Sequence, residues 1–138
     1  NKVHLHWNLC VNAKIKGKRS QIVQVLVNLI ANAAQAIERK GESWVKTELR
    51  DNHLKLVVKD NGSGMGENEK IRLFEPFFTT KSREKGTGLG MSIVQQILEG
   101  HGAKLEFHSS DKSDDSGSTF ILTFLVSGPE ELEWKKAS

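Results

Sequence analysis

The spacing of apolar residues along this chain alternates between two periods, and each change marks an element. Val3, Leu5 and Trp7 alternate with His4 and His6, which predicts a first strand with one apolar face. A polar turn runs through Lys18. Apolar residues then recur at Ile22, Val25, Leu26, Leu29, Ile30, Ala33, Ala36 and Ile37. This is the stripe of a buried helix, with Ser20 as its N-cap and an end near Gly41, after Arg39 and Lys40. Two β-rich runs, 44–50 and 53–59, are separated only by Asp51-Asn52 and predict a hairpin that delivers Asp60 at its end. Residues 89–99 form a second amphipathic helix, capped by Gly100 to Gly102, and strands at 104–108 and 119–126 close the chain across a polar loop.

The predicted order is β, α, β, β, a loop with a short helix, α, β, β. Helices and mainly antiparallel strands in this order favour an α/β two-layer sandwich, α+β in its segregation, over a doubly wound parallel sheet. No repeat or linker divides the chain. Residues 1–126 form one domain, and 127–138 (SGPEELEWKKAS) read as a charged, loose tail.

Composition narrows the function. The chain has 138 residues, enough for one domain with a substantial core. Twenty Lys and Arg against seventeen Asp and Glu are scattered, and only Lys14 to Arg19 approaches a basic run, so a nucleic-acid partner is not expected. No apolar run approaches the roughly 18 residues of a membrane span. No secretory leader is apparent at the first residues, and lone Cys10 suits a reducing compartment, so the expected location is cytoplasmic. Six of the 12 glycines lie between Gly62 and Gly90, the pattern of a ligand loop inside a globular domain.

Three further features carry chemistry. On the long helix, Gln24, Asn28, Asn32, Gln35 and Arg39 form a second, amide-rich stripe. Asparagine is a poor helix former, so this stripe serves either to cap nearby backbone or to offer neutral oxygen ligands to Mg²⁺. Asp60-Asn61-Gly62-Ser63-Gly64-Met65-Gly66 stands at a strand end. The carboxylate there could accept from an exocyclic amine, with glycines admitting a flat ring, or it could serve ordinary turn chemistry. Gly86-Thr87-Gly88-Leu89-Gly90 opens a helix, where exposed N–H groups suit a polyphosphate, yet neither a P-loop nor G-x-G-x-x-G is present. Between the glycine clusters, Phe74, Pro76, Phe77 and Phe78 suit a mobile cover or a loop pinned by aromatic anchors.

These motifs, in this order, resemble the ATP-binding catalytic domain of sensor histidine kinases. The N box is matched by Asn28 to Ala33, the G1 box by Asp60 to Gly64, the F box by Phe74 to Phe78 and the G2 box by Gly86 to Gly90. The wording FEPFFTTK followed by GTGLGMSIV is most similar to the nitrogen-regulation type. The resemblance implies a Bergerat fold, a mixed sheet packed on helices, with an ATP lid over about 67–85. It implies that Asp60 binds the adenine amine, that Gly62, Gly64 and Met65 flank the base, and that Thr119 supports the adenine pocket. Asn32 with Asn28 would hold Mg²⁺, and Gly86, Thr87, Gly88, Leu89 and Gly90 would admit the phosphates. Gln35 occupies a position where many members place a phosphate-contacting Lys, and Thr79 one where many place Arg. Lys81, Arg83 and Lys85 therefore compete for the γ-phosphate, with Lys81 the leading choice.

Relatives that hydrolyse ATP carry Glu one helical turn before the metal-binding Asn, whereas this chain has Asn28 there. An amide cannot take a proton from water, so the site suits phosphoryl transfer, and intrinsic hydrolysis is expected to be slow. The implied acceptor is a histidine on the protein's own helical dimerisation domain, and the implied downstream partner is a response regulator. None of the five histidines here fits the acceptor, so the chain reads as the catalytic part of a longer protein. A nucleotide-sensing module without transfer is the alternative, and a serine kinase of anti-sigma type is disfavoured by the F box. His4 and His6 share one side of a strand but have no third ligand nearby in sequence.

Overall fold

A computed structural model describes residues 2–9, 13–37, 40–75, 90–112 and 116–126. The elements, in chain order, are β1 (Lys2–Leu9), α1 (Arg19–Ala36), β2 (Lys40–Arg50), β3 (His53–Asp60), α2 (Glu67–Arg72), α3 (Gly90–Gly100), β4 (Lys104–Ser110) and β5 (Gly117–Leu125). The strands make one sheet in the order β1-β2-β3-β5-β4. Only the β1–β2 pair is parallel. Helices α1 and α3 pack on each other and on one face of that sheet, which gives the expected two-layer sandwich with a mixed, mainly antiparallel sheet.

The apolar periods account for the packing. Val25, Leu29 and Ala33 of α1 and Met91, Val94 and Leu98 of α3 meet Val45, Leu56, Val58, Phe120, Leu122 and Phe124 from the sheet. Strand β5 shows the alternation directly, because Ser118, Phe120, Leu122 and Phe124 are buried while the residues between them are not. The β2–β3 hairpin turns through Asp51 and Asn52 at φ of 51° and 60°, the left-handed pair that a tight two-residue loop requires. Helix α3 ends in a Schellman arrangement: Gly102 at φ +64° lets the Ala103 and Gly102 N–H groups reach the Leu98 and Glu99 carbonyls.

Both ends of α1 differ from the sequence reading. The N-cap is Lys18, not Ser20, and it makes no side-chain cap. Its carbonyl accepts from Gln21 and Ile22, while its own N–H donates to His101 Nε2 at 3.1 Å. That bond fixes the neutral tautomer, whose Nδ1–H donates to the Ile97 carbonyl at 2.8 Å. His101 thus ties the start of α1 to the end of α3. At the other end the helix stops at Ala36, Ile37 is extended, and Lys40 and Gly41 already belong to β2. Residues 40–47 there gain a ladder with β1, from Lys2↔Lys40 to Leu9↔Thr47, which outweighs the local helical pattern.

Candidate nucleotide site

The register of the sheet gathers polar residues at one end of its helix-facing side. Ser43 of β2 stands opposite Asp60 of β3, Asp60 opposite Ser118 of β5, and Ser118 opposite Ser109 of β4. Ser43, Asp60 and Ser118 are 2%, 2% and 4% exposed, and with Asn32 they are the buried polar side chains among the described residues. A carboxylate removed from water costs free energy unless donors surround it. One donor is the Gly62 N–H, 2.9 Å from Asp60 Oδ1, so the Asp-x-Gly turn and the buried carboxylate are one feature. Ile37 and Asn61 both lie against Gly41, which brings the end of α1 beside the end of β3.

The backbone after Asp60 is held against β4 and β5. Gly64 has φ +70°, and a Cβ there would overlap the Ser110 carbonyl. At Gly117, with φ +142°, a Cβ would likewise overlap the Asp60 carbonyl. These two positions require glycine, by conformation and by space. Met65 packs against the core, and its N–H donates to Ser109 Oγ at 2.8 Å.

Asn28 joins the long helix to the start of α3. Its Nδ2 donates to the Gly90 carbonyl at 3.1 Å, and its Oδ1 accepts from Gln24 Nε2 at 2.8 Å. The amide is engaged at both ends, so Asn28 is a strut between the N box and the G2 box, and a metal ion would compete with Gln24 for its oxygen. Asn32, one turn further on the same side, is buried. Of the amide stripe, the Gln35 side chain lies outside the described residues, as do Lys81, Arg83, Lys85, Gly86, Thr87, Gly88 and Leu89. Cys10, Thr79 and the Phe77–Phe78 pair lie outside them too. Phe74 packs against the core and Leu73 is buried, which anchors the segment after α2.

One expected site residue lies on a different face of the sheet from Asp60. Thr119 pairs with Lys59 and His108 and points to the face away from the helices, because strand alternation turns it opposite to Phe120. Ser118 takes the place beside Asp60. The signal was present in the sequence, since a residue two before a core Phe shares its face. Ser43 and Ser109 carry no such signal in the sequence, because their proximity depends on strand register. On the opposite face, His6 stacks on Trp44 with centroids 5.7 Å apart, bonds Glu42 at 3.0 Å, and sits in no cluster of three metal-ligating side chains among the described residues.

Comparison with known proteins gives the family and the fold. The family model for "Histidine kinase-, DNA gyrase B-, and HSP90-like ATPase" matches residues 17–128. The chain belongs to that family, as an ATP-binding domain of histidine-kinase type. It is 37% identical over 119 residues to the nitrogen regulation protein NtrY of Azorhizobium caulinodans, covering 81% of this chain and 15% of that protein. It is 35% identical over 121 residues to the sensor histidine kinase ZraS of Klebsiella oxytoca, covering 87% and 25%. The chain thus spans at most a quarter of these relatives. Among solved structures, the mycobacterial sensor histidine kinase MprB superposes with a TM-score of 0.79 at 25% identity, covering 90% of this chain and 82% of that one. The catalytic domain of histidine kinase ThkA gives 0.76 at 30% identity, covering 89% and 78%. Among the described residues, no helix is long and apolar enough to cross a membrane.

Proposed function

We propose that this domain binds Mg-ATP at the polar end of the sheet and presents the γ-phosphoryl group to a histidine on a separate dimerisation segment of the same protein, in two-component signalling on the cytoplasmic side. The observation that carries this reading is the buried Asp60 carboxylate in a row of hydroxyls, with a further buried polar side chain, Asn32, on α1. Asp60 would accept from the adenine amine, with Gly62, Gly64 and Met65 beside the ring and Ser118 next to it. Asn32 offers a neutral oxygen for Mg²⁺, and the ion when bound offsets phosphate charge. Gly90 begins α3, where a helix N-terminus favours anions, with residues 86–89 leading into it and Lys81 the leading cation for the terminal phosphate.

The Asn28 strut supports transfer over hydrolysis, because it places an amide, not a carboxylate, one turn before Asn32. A response regulator as downstream partner is supported by a solved complex of histidine kinase ThkA with the response regulator protein TrrA.

Titration with ADP and ATP, with and without Mg²⁺, tests the site. Asp60→Ala should weaken all adenine nucleotides by at least about tenfold, the scale of a charge-assisted hydrogen bond. Asn32→Ala should lower mainly the magnesium-dependent part. Equal binding by all three proteins refutes the assignment. Labelled phosphate from ATP appearing on the dimerisation segment's histidine would separate a kinase from a sensing module.

A further inference from the structure

Ser109 touches more of the site's framework than any role yet given to it explains. Its Oγ lies 2.8 Å from the Met65 N–H, 2.8 Å from Ser118 Oγ and 3.1 Å from the Gly117 carbonyl. A hydroxyl has one proton and two acceptor positions. With the proton on the Gly117 carbonyl, Ser109 Oγ accepts from both Met65 and Ser118. Its backbone carbonyl accepts from Lys70 Nζ of α2 at 3.2 Å. Around it, Gly64 lies against the Ser110 carbonyl and Gly66 lies beside the Asp111 carboxylate. The end of β4 is therefore the seat of the whole segment from Gly64 to Lys70, and the same residue that seats it bonds the hydroxyl beside Asp60.

We propose that Ser109 is a positioning residue that couples ligand occupancy beside Asp60 and Ser118 to the firmness with which α2 is held. The Ser118 proton has two destinations, Ser109 or an acceptor in the pocket such as an adenine ring nitrogen. A ligand that claims this proton, or that fixes Ser118 in place, changes what Ser109 offers the Met65 N–H, and Met65 leads within two residues into α2. The inference rests on the nucleotide reading above, and it adds the route by which a bound base is sensed at the start of the lid segment.

Amide hydrogen exchange on the full chain, with and without ADP, tests it, alongside measured ADP affinity and nucleotide-free thermal stability. In the unsubstituted chain ADP should slow exchange of the α2 amides, among them Lys70 N–H, by about fivefold or more. Ser109→Ala should still bind ADP within about tenfold of the parent, the scale of one hydrogen bond, yet lose that protection. Ser109→Thr, which keeps the hydroxyl, should restore it. A role in stability alone would lower the melting temperature and leave the ADP-dependent difference intact, and that result overturns the inference. If Ser109→Ala does not fold, Lys70→Met removes the ammonium contacts to the Ser109 carbonyl and to Glu67, and Glu67→Gln, which removes the second alone, is the control. Loss of at least about half of the protection then supports the coupling, and an unchanged difference overturns it. No saturable ADP binding by the unsubstituted chain removes the nucleotide reading and this inference together; ADP binding without α2 protection removes this inference alone.

Discussion

The two ends of the sheet's helix-facing side are built from the same strands and differ in what they bury. At one end the rungs are Ser43, Asp60, Ser118 and Ser109; further along the same strands they are Val45, Leu56, Val58, Leu105, Phe107, Phe120, Leu122 and Phe124. Each apolar side chain taken from water stabilises the fold by roughly 1.5–3 kcal/mol. Hydroxyls and a carboxylate give no such gain, and they are tolerable only because Ser43 donates to the Lys59 carbonyl, Gly62 donates to Asp60 and Ser109 is fully bonded. Stability and chemistry are thus separated along the strands by about one residue pair. The long helix carries the same two kinds of buried side chain, Leu29 in the core and the polar Asn32.

Substitutions on either side of that boundary would break or sharpen the contrast. The largest effect belongs to the apolar end. Leu122→Ala, at a residue 0% exposed, should cost about 2–5 kcal/mol in denaturant unfolding and leave nucleotide affinity of the folded fraction unchanged. Joint loss of both would show that the ends are not separable. Gly64→Ala comes next. Its left-handed φ and the Ser110 carbonyl should cost more than about 1 kcal/mol, read as a lower melting temperature, and ADP affinity should fall with it because the G1 turn is displaced. The smallest effect is the most discriminating. Ser118→Ala should weaken ADP by up to about tenfold, the scale of a single hydrogen bond, whereas Thr119→Ala on the other face should leave it alone. The reverse order would restore Thr119 to the pocket.

Much of this arrangement was legible from the chain. The apolar stripe of α1 named Val25, Leu29, Ala33 and Ile37, all buried, and the Asp51-Asn52 hairpin is present with the expected turn. The ends of α1 were not legible, because β1 recruits residues 40–47 from a distance in sequence and His101, in the turn after α3, accepts from the Lys18 N–H. At the site, Asp60 and its turn glycines stand out by spacing. Ser43 and Ser109 do not, since a serine in a strand carries no mark of what stands opposite. Asn28 was visible as an anomaly, but its bonds to Gln24 and Gly90 make it a strut first.

The parallel pairing of β1 bears on how the domain comes apart. This strand is an edge, joined within the described sheet only to β2, and its partners lie 38 positions further along the chain, as in Lys2↔Lys40. Parallel ladders are slightly weaker per residue than antiparallel ones, and an edge strand has a partner on one side only. Among the five strands, β1 is therefore the one set to peel first in sub-global opening. Its Leu5 stands opposite Ser43, the first rung of the polar row. Peeling of β1 would therefore uncover Ser43, the rung opposite Asp60, before the apolar rungs of the central strands.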